Sequence, residues 1–342
     1  MKKIRVLVVE DSLVFRGLLV KSLNQDDAIE VVATASDPFE ARDKIIEYEP
    51  DVMTLDIELP KMSGLEFLRK LMPQYPLPVV VISALSEKVF DAMKAGAVDF
   101  VAKPMVSDKL SLQNFLENEL PVKVKVASTA RVSRYKNRPV ESIQQKNTGA
   151  SNVSVVAIGA STGGTEAIAE VIKDFGPDIP GTVIVQHMPS GFTNMYANRL
   201  NNQCRVTVKE AKNGDVITPG VVLIAPGGDE QMTVVKTGER LQVSLKKGPK
   251  VSGHCPSVDV LFDSVANIVK DRAIGIILTG MGGDGAKGLK AMYDAGARTI
   301  GQDESTCVVY GMPKVAYDLG GVMYQEKIQD IAKRTYTLLN KR

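Results

Sequence analysis

A serine among glycines, a histidine ending an apolar run and an aspartate in a glycine turn are the residues of this 342-residue chain best suited to acyl transfer. Ser161 lies in GASTGG, directly after the apolar run VSVVAI. Glycines on both sides allow a sharp strand-to-helix turn that exposes the hydroxyl. The N–H groups opening the next helix, Thr162 first among them, could receive a developing oxyanion. The same turn could instead cradle a nucleotide phosphate, so alone it leaves both readings open. Only two histidines occur, His187 and His254. His187 follows TVIVQ, the next strand-like run after Ser161, and could act as general base; His254, in GHCPSVD, could line a substrate cleft. Cys255 beside it is an alternative nucleophile, although sequence neighbours seldom face each other productively. Asp284, in MGGDGAKG after AIGIILTG, could orient the imidazole, and the Met281 N–H could supply another oxyanion donor.

A second constellation lies earlier in the chain. Glu10 and Asp11 follow the first apolar run, Asp56 ends the third, Ser83 the fourth, and Lys103 with Pro104 follows the fifth. Ligands of open α/β sheets gather beyond the carboxyl ends of the strands, so three carboxylates, a hydroxyl and an ammonium would meet in one pocket. Such an acidic cluster calls for a hard divalent cation, and its oxygen donors suit Mg²⁺. The set predicts phosphoryl transfer onto Asp56, with Glu10, Asp11 and Asp56 at the metal and Ser83 and Lys103 holding the aspartyl phosphate.

Elements that would place these groups are legible in the pattern. From residue 4 to 104, IRVLVV, IEVVAT, VMTL, PVVVIS and DFVA alternate with helix-length segments, which predicts a doubly wound, five-stranded parallel sheet with five helices. Phe15, Leu18, Leu19, Ser22 and Leu23 show helical spacing. Residues 108–120 read as the last helix of a domain spanning 1–120, and 121–152 as a solvated basic linker containing Lys123, Lys125, Arg131, Arg134, Lys136, Arg138 and Lys146. A second α/β domain, 153–342, follows with VVAIG, TVIVQ, VVLIA, LQVSL and AIGIILTG. Its β-branched stretch 205–245 predicts antiparallel strands inserted in or flanking a mainly parallel sheet. Two domains also suit the length, at about 150 residues each.

Composition narrows the functions. A net charge of +2, with lysine and arginine dispersed, leaves no nucleic-acid footprint. Glu10 and Asp11 cut short the first apolar run, and nothing else is long enough to span a bilayer, so no membrane insertion is expected. Three cysteines without metal or redox spacing suit a reducing cytoplasm.

Residues 1–120 resemble the response-regulator receiver family through VVEDS, DIELPKMSG, VISAL, GAVDF and the Lys103–Pro104 pair, with Glu10 in place of a frequent Asp and Ser63 before Gly64. That resemblance implies a histidine kinase as phosphodonor and makes Phe100 an aromatic switch coupled to Ser83. GASTGG, QHM, TGMGGDGA and HCPSVDVLF resemble the catalytic domain of chemotaxis protein-glutamate methylesterases across 152–342. The likeness implies demethylation of glutamates, and deamidation of glutamines, on the cytoplasmic helices of chemoreceptors. Ser161 would form the acyl-enzyme, His187 shuttle protons, Asp284 orient it and Met281 lend its N–H, with no cofactor for this reaction. It also implies that the unphosphorylated receiver occludes the Ser161 cleft. Two other readings remain: a receiver fused to a phosphate-binding signalling module, and a gated hydrolase of a small ester or amide.

Overall fold

The computed structural model describes residues 2–105, 107–132 and 152–340. The chain forms two compact units, Met1–Arg138 and Pro139–Arg342. In the first, β1 (Ile4–Val9), α1 (Leu13–Leu23), β2 (Ile29–Ala35), α2 (Pro38–Tyr48), β3 (Val52–Asp56), α3 (Gly64–Leu71), β4 (Val79–Ser83), α4 (Lys88–Lys94) and β5 (Asp99–Ala102) alternate as the apolar runs require. The strands pair in parallel in the order β2-β1-β3-β4-β5. Both β3 and β4 are buried along their whole length, because helices cover both faces of the sheet. Caps set the helix starts. Ser12 accepts from Phe15 N, and Asp37, followed by Pro38, accepts from Phe39 N and Glu40 N.

The end of this unit differs from the sequence expectation. The chain passes from α5 (Lys109–Asn114) through a π-helical stretch, Phe115–Glu119, into α6 (Leu120–Ser128). Residues 121–128, read as the start of the linker, are therefore helical. Leu120, Val124 and Ala127 are fully buried. Lys123 is 2.7 Å from Asp99 and Lys125 2.7 Å from Asp26, so these two lysines are paired rather than part of a solvated basic run. Arg134, Lys136, Arg138 and Lys146 lie outside the described residues.

The second unit comprises β6 (Val155–Ala160), α7 (Gly164–Ile172), β7 (Gly181–Gln186), α8 (Phe192–Gln203), β8 (Thr207–Glu210), β9 (Val221–Ile224), β10 (Glu230–Thr237), β11 (Arg240–Lys247), α9 (Val258–Ile268), β12 (Ala273–Ile277), α10 (Ala286–Asp294), β13 (Arg298–Gln302), α11 (Met312–Asp318), β14 (Tyr324–Glu326) and α12 (Ile328–Leu339). Seven strands form a sheet in the order β14-β13-β12-β6-β7-β9-β8, and every pairing in it is parallel. The antiparallel pair is separate: β10 and β11 make a two-stranded ribbon that flanks the sheet. Strands β8 and β9, within the stretch expected to be antiparallel, run parallel at the sheet edge. The turn at Asn213–Gly214 leads from β8 not into a hairpin partner but to an isolated bridge from Val216 to Gln242.

Strands β6 and β7 are buried at every position, as the centre of a two-sided sheet demands. From β6 the chain moves outward through β7 to the edge strand β8, comes back to insert β9 between them, and then returns to place β12 on β6's other side. That reversal is a topological switch point, where the carboxyl ends of β6, β7 and β12 border one crevice. Among the described residues no helix is long and apolar enough to cross a membrane.

Candidate functional site

Ser161 and His187 are the first residues past the ends of β6 and β7. The register pairs Ala160 with Gln186, and the His187 N–H donates to the Ala160 carbonyl at 3.2 Å. On the other side, the Ser161 N–H donates to Thr279 O at 3.0 Å, which ties the serine to the strand extension leading to Asp284. Gly163 makes the turn possible: its φ of 76° is left-handed, and the Gly164 N–H closes onto Ser161 O at 2.7 Å to start α7.

The Met281 N–H donates to nothing among the described residues, while its neighbour Gly280 packs so closely that a Cβ there would lie 2.8 Å from Ser161 Cβ. Thr162 is buried, and its carbonyl accepts from Thr279 Oγ1 at 3.0 Å.

Asp284 meets His187 directly, with Oδ2 2.8 Å from Nε2. The remaining lone pairs of the carboxylate are filled by the start of α9. Val258 N donates to Oδ2 at 2.8 Å, and Ser257 Oγ and Asp259 N donate to Oδ1 at 2.7 and 3.1 Å. Burial raises the pKa of this carboxyl, but the hydrogen bonds from His187 and Ser257 outweigh it and hold the group at about 2. It is therefore ionised throughout the neutral range. His187 Nδ1 is buried with no hydrogen-bond partner.

His254 lies flat on His187, with ring centroids 3.7 Å apart and planes inclined by 11°. The loop carrying it is fixed by Gln231 of β10, whose Nε2 donates to Pro249 O at 2.9 Å and whose Oε1 accepts from Ser257 N at 2.8 Å. Cys255 does not suit a nucleophile. Burial raises its thiol, and Sγ lies 3.9 Å from Gly248 O rather than beside a base. Sequence reasoning missed Ser257 and Gln231. Ser257 had a signal, since a serine immediately before the apolar run VDVLF is a helix-cap pattern; Gln231 had none.

In the first unit, Glu10, Asp11 and Asp56 each place a carboxylate oxygen within 4.8 Å of the others. Lys103 Nζ lies 2.8 Å from Glu10 Oε2 and also contacts Asp56 Oδ2, so its single positive charge is shared between two of the three. Burial pushes Glu10 up to about 7 against the pull of Lys103. Oxygen-only donors of this charge fit Mg²⁺. Ser83 is buried beside them, its hydroxyl donating to Ala84 O at 3.0 Å, and Phe100 is buried edge-on to Phe90 at 6.3 Å. All five sequence-predicted polar groups thus lie at the carboxyl edge of one sheet.

Known proteins match both units. The profile of the CheB methylesterase family covers residues 156–335, and that of the response regulator receiver domain residues 6–114. A protein-glutamate methylesterase/protein-glutamine glutaminase of Syntrophomonas wolfei is 58% identical over 343 residues, covering 99% of each chain. A protein of the same name from Salmonella typhi is 44% identical over 345 residues, covering 100% of this chain and 97% of its own. The crystal structure of the Thermotoga maritima CheB methylesterase catalytic domain aligns with 54% of this chain and 98% of its own, at 37% identity and a TM-score of 0.53. The chain belongs to the CheB methylesterase family, with a response regulator receiver domain preceding the methylesterase domain.

Proposed function

We propose that the chain is a phosphorylation-activated serine hydrolase that removes methyl esters from chemoreceptor glutamates and deamidates receptor glutamines, thereby setting adaptation in chemotaxis. The observation that carries this reading is the 2.8 Å bond from His187 Nε2 to Asp284, on the strand end next to Ser161. With Nε2 committed to the carboxylate, Nδ1 is the nitrogen left to take the Ser161 proton. Ser161 Oγ attacks the ester carbonyl as its proton passes to Nδ1, and the Thr162 and Met281 amides receive the oxyanion. Collapse returns that proton to the departing methoxide, giving methanol, or to the amide nitrogen, giving ammonia. Water then attacks the acyl-enzyme, with His187 again as base, and leaves a glutamate. His254 forms the cleft wall that keeps the His187 ring in plane. Three free cysteines agree with a reducing cytoplasm.

Ser257 holds the Asp284 carboxylate and caps α9, so Ser257→Ala is expected to lower kcat roughly tenfold and stability by about 1–3 kcal/mol. Urea unfolding and turnover measured on the same preparation separate the two effects. A destabilised variant with wild-type kcat would show that the hydroxyl is only a cap.

In the receiver, Glu10, Asp11 and Asp56 would hold Mg²⁺, which when bound offsets the charge of the phosphoryl oxygens. Asp56 accepts the phosphoryl group from a chemotaxis histidine kinase. Lys103 then turns from the carboxylates to the phosphate, and Ser83 and Phe100 follow. The unphosphorylated receiver restrains the hydrolase, so deleting residues 1–150 is expected to raise basal turnover on the order of 5–150-fold. An unchanged or lower rate would remove the restraint from the mechanism.

The deciding experiment incubates the full chain with a methyl-labelled receptor cytoplasmic fragment, with and without acetyl phosphate and Mg²⁺, and counts methanol. Stimulated release that is lost in Asp56→Asn is the expected result. Release from free glutamate methyl ester but not from receptor would transfer the activity to a small-molecule substrate, and no release from either would leave a binding module.

A further inference from the structure

The hydrogen-bond ladder that aligns β6 with β7 ends at the His187 N–H to Ala160 O bond, one residue short of the Ser161 and His187 carbonyls. Beyond it the two chains diverge, Ser161 into α7 and His187 toward α8. A side chain closes this gap. Gln186, 3% exposed, sends its Nε2 to Ser161 O at 2.9 Å and to His187 O at 3.1 Å, so one carboxamide fastens the backbones of both residues.

The placement has a cost that a purely structural glutamine need not carry. Gln186 Oε1 is buried without a hydrogen-bond partner, and a buried unsatisfied acceptor of this kind costs about 1–3 kcal/mol. It lies where Gly164 leaves room: a Cβ at Gly164 would fall 2.0 Å from Oε1 and 2.7 Å from Ala160 Cβ. The glycine that opens α7 and the glutamine that ends β7 thus depend on each other, and the lost acceptor is tolerated at the point where two backbones must be registered.

We propose that Gln186 is a positioning residue that sets the separation of Ser161 from His187 through their carbonyls. The inference rests on the reading of Ser161 as nucleophile and His187 as its base. The hydrogen bonds of Gln186 go to neither the reacting hydroxyl nor the imidazole ring; it acts through the backbone on which each is mounted. Misplacement by about 1 Å between reacting groups can cost about 10²-fold, so a substitution of near-equal size that cannot donate should be felt chiefly in the rate.

A fluorophosphonate tests this without a receptor. Ser161 Oγ bonds to phosphorus, fluoride leaves, and the hydroxyl proton passes to His187, so the second-order labelling rate reports nucleophile and base alone. Gln186→Met in the full chain is expected to label about 10²-fold more slowly than wild type. Gln186→Glu adds a readout that loss of packing does not produce. Its ionised carboxylate offers no donor to the two carbonyls, whereas the protonated acid regains one, so its labelling rate relative to wild type should climb as pH falls. The Gln186→Met ratio should stay flat. Labelling of Gln186→Met within about twofold of wild type would overturn the proposal. Should that variant fail to fold, a pH-independent Gln186→Glu ratio overturns it equally. Labelling of Ser161→Ala at the wild-type rate removes the nucleophile reading and this inference with it; Ser161-specific labelling that ignores Gln186 removes the inference alone.

Discussion

Ser161→Ala is expected to lower kcat for methanol release by about 10⁶ while leaving the fold and the phosphorylation of Asp56 intact. The loss is large because in the proposed mechanism the hydroxyl oxygen forms the covalent bond, and without it the imidazole has no proton to take. Residual turnover of about 10³–10⁴ over water would come from the amides of Thr162 and Met281 and from substrate binding. Stability should change little. The turn is held by backbone bonds, Ser161 N to Thr279 O at 3.0 Å and Gly164 N to Ser161 O at 2.7 Å, and alanine keeps both. Methanol counting beside a thermal melt makes the comparison. A variant that melts like wild type yet keeps more than about a tenth of its kcat would place the nucleophile elsewhere, since truncating a true nucleophile costs far more.

The parts of the molecule that follow local rules were readable in the sequence. Strand runs such as IRVLVV and TVIVQ end where the pattern says, and the rule that ligands gather at carboxyl strand ends puts Ser161, His187 and Asp284 on one sheet edge. What could not be read depends on partners distant in sequence. β12 lies beside β6 only because β8 and β9 were carried to the far edge, and no local pattern encodes that order. The His254 ring on His187 at 3.7 Å comes from a loop with no periodicity, fixed by Gln231 from the ribbon. The end of the receiver was misread for the same reason. Lys123 and Lys125 look solvated in a polar run, yet their partners Asp99 and Asp26 stand 24 and 99 residues away. The β-branched stretch 205–245 misled differently: β propensity reports a pleated, half-buried surface and is silent on direction, so parallel β8 and β9 look the same as the antiparallel ribbon.

Asp284→Asn should cost about 10⁴ in kcat, and the reason lies in the donors around the carboxylate. Oδ2 accepts from His187 Nε2 and Val258 N, and Oδ1 from Ser257 Oγ and Asp259 N. A carboxamide has one oxygen and one NH₂, so whichever way it turns, its NH₂ faces a backbone N–H. If the oxygen stays with Ser257 and Asp259, the NH₂ confronts His187, which must then accept at Nε2 and carry its proton on Nδ1. That tautomer cannot take the Ser161 proton. If the amide turns over, His187 keeps its tautomer but loses the negative charge that stabilises the imidazolium. Either outcome lowers kcat and spares KM.

The same substitution has a thermodynamic signature. The Asp284 carboxyl is held at about 2 against an ordinary value of 3.8. A carboxylate depressed on folding contributes stability that is present above its unfolded pKa and lost as pH falls through the folded one. Wild type should therefore exceed Asp284→Asn in urea resistance near neutrality, with the gap narrowing on acidification toward about pH 2. A gap that holds constant over that range would mean that the ionised carboxylate contributes nothing the amide lacks, and a kcat within about tenfold of wild type would mean that His187 is held by something other than its bond to Asp284.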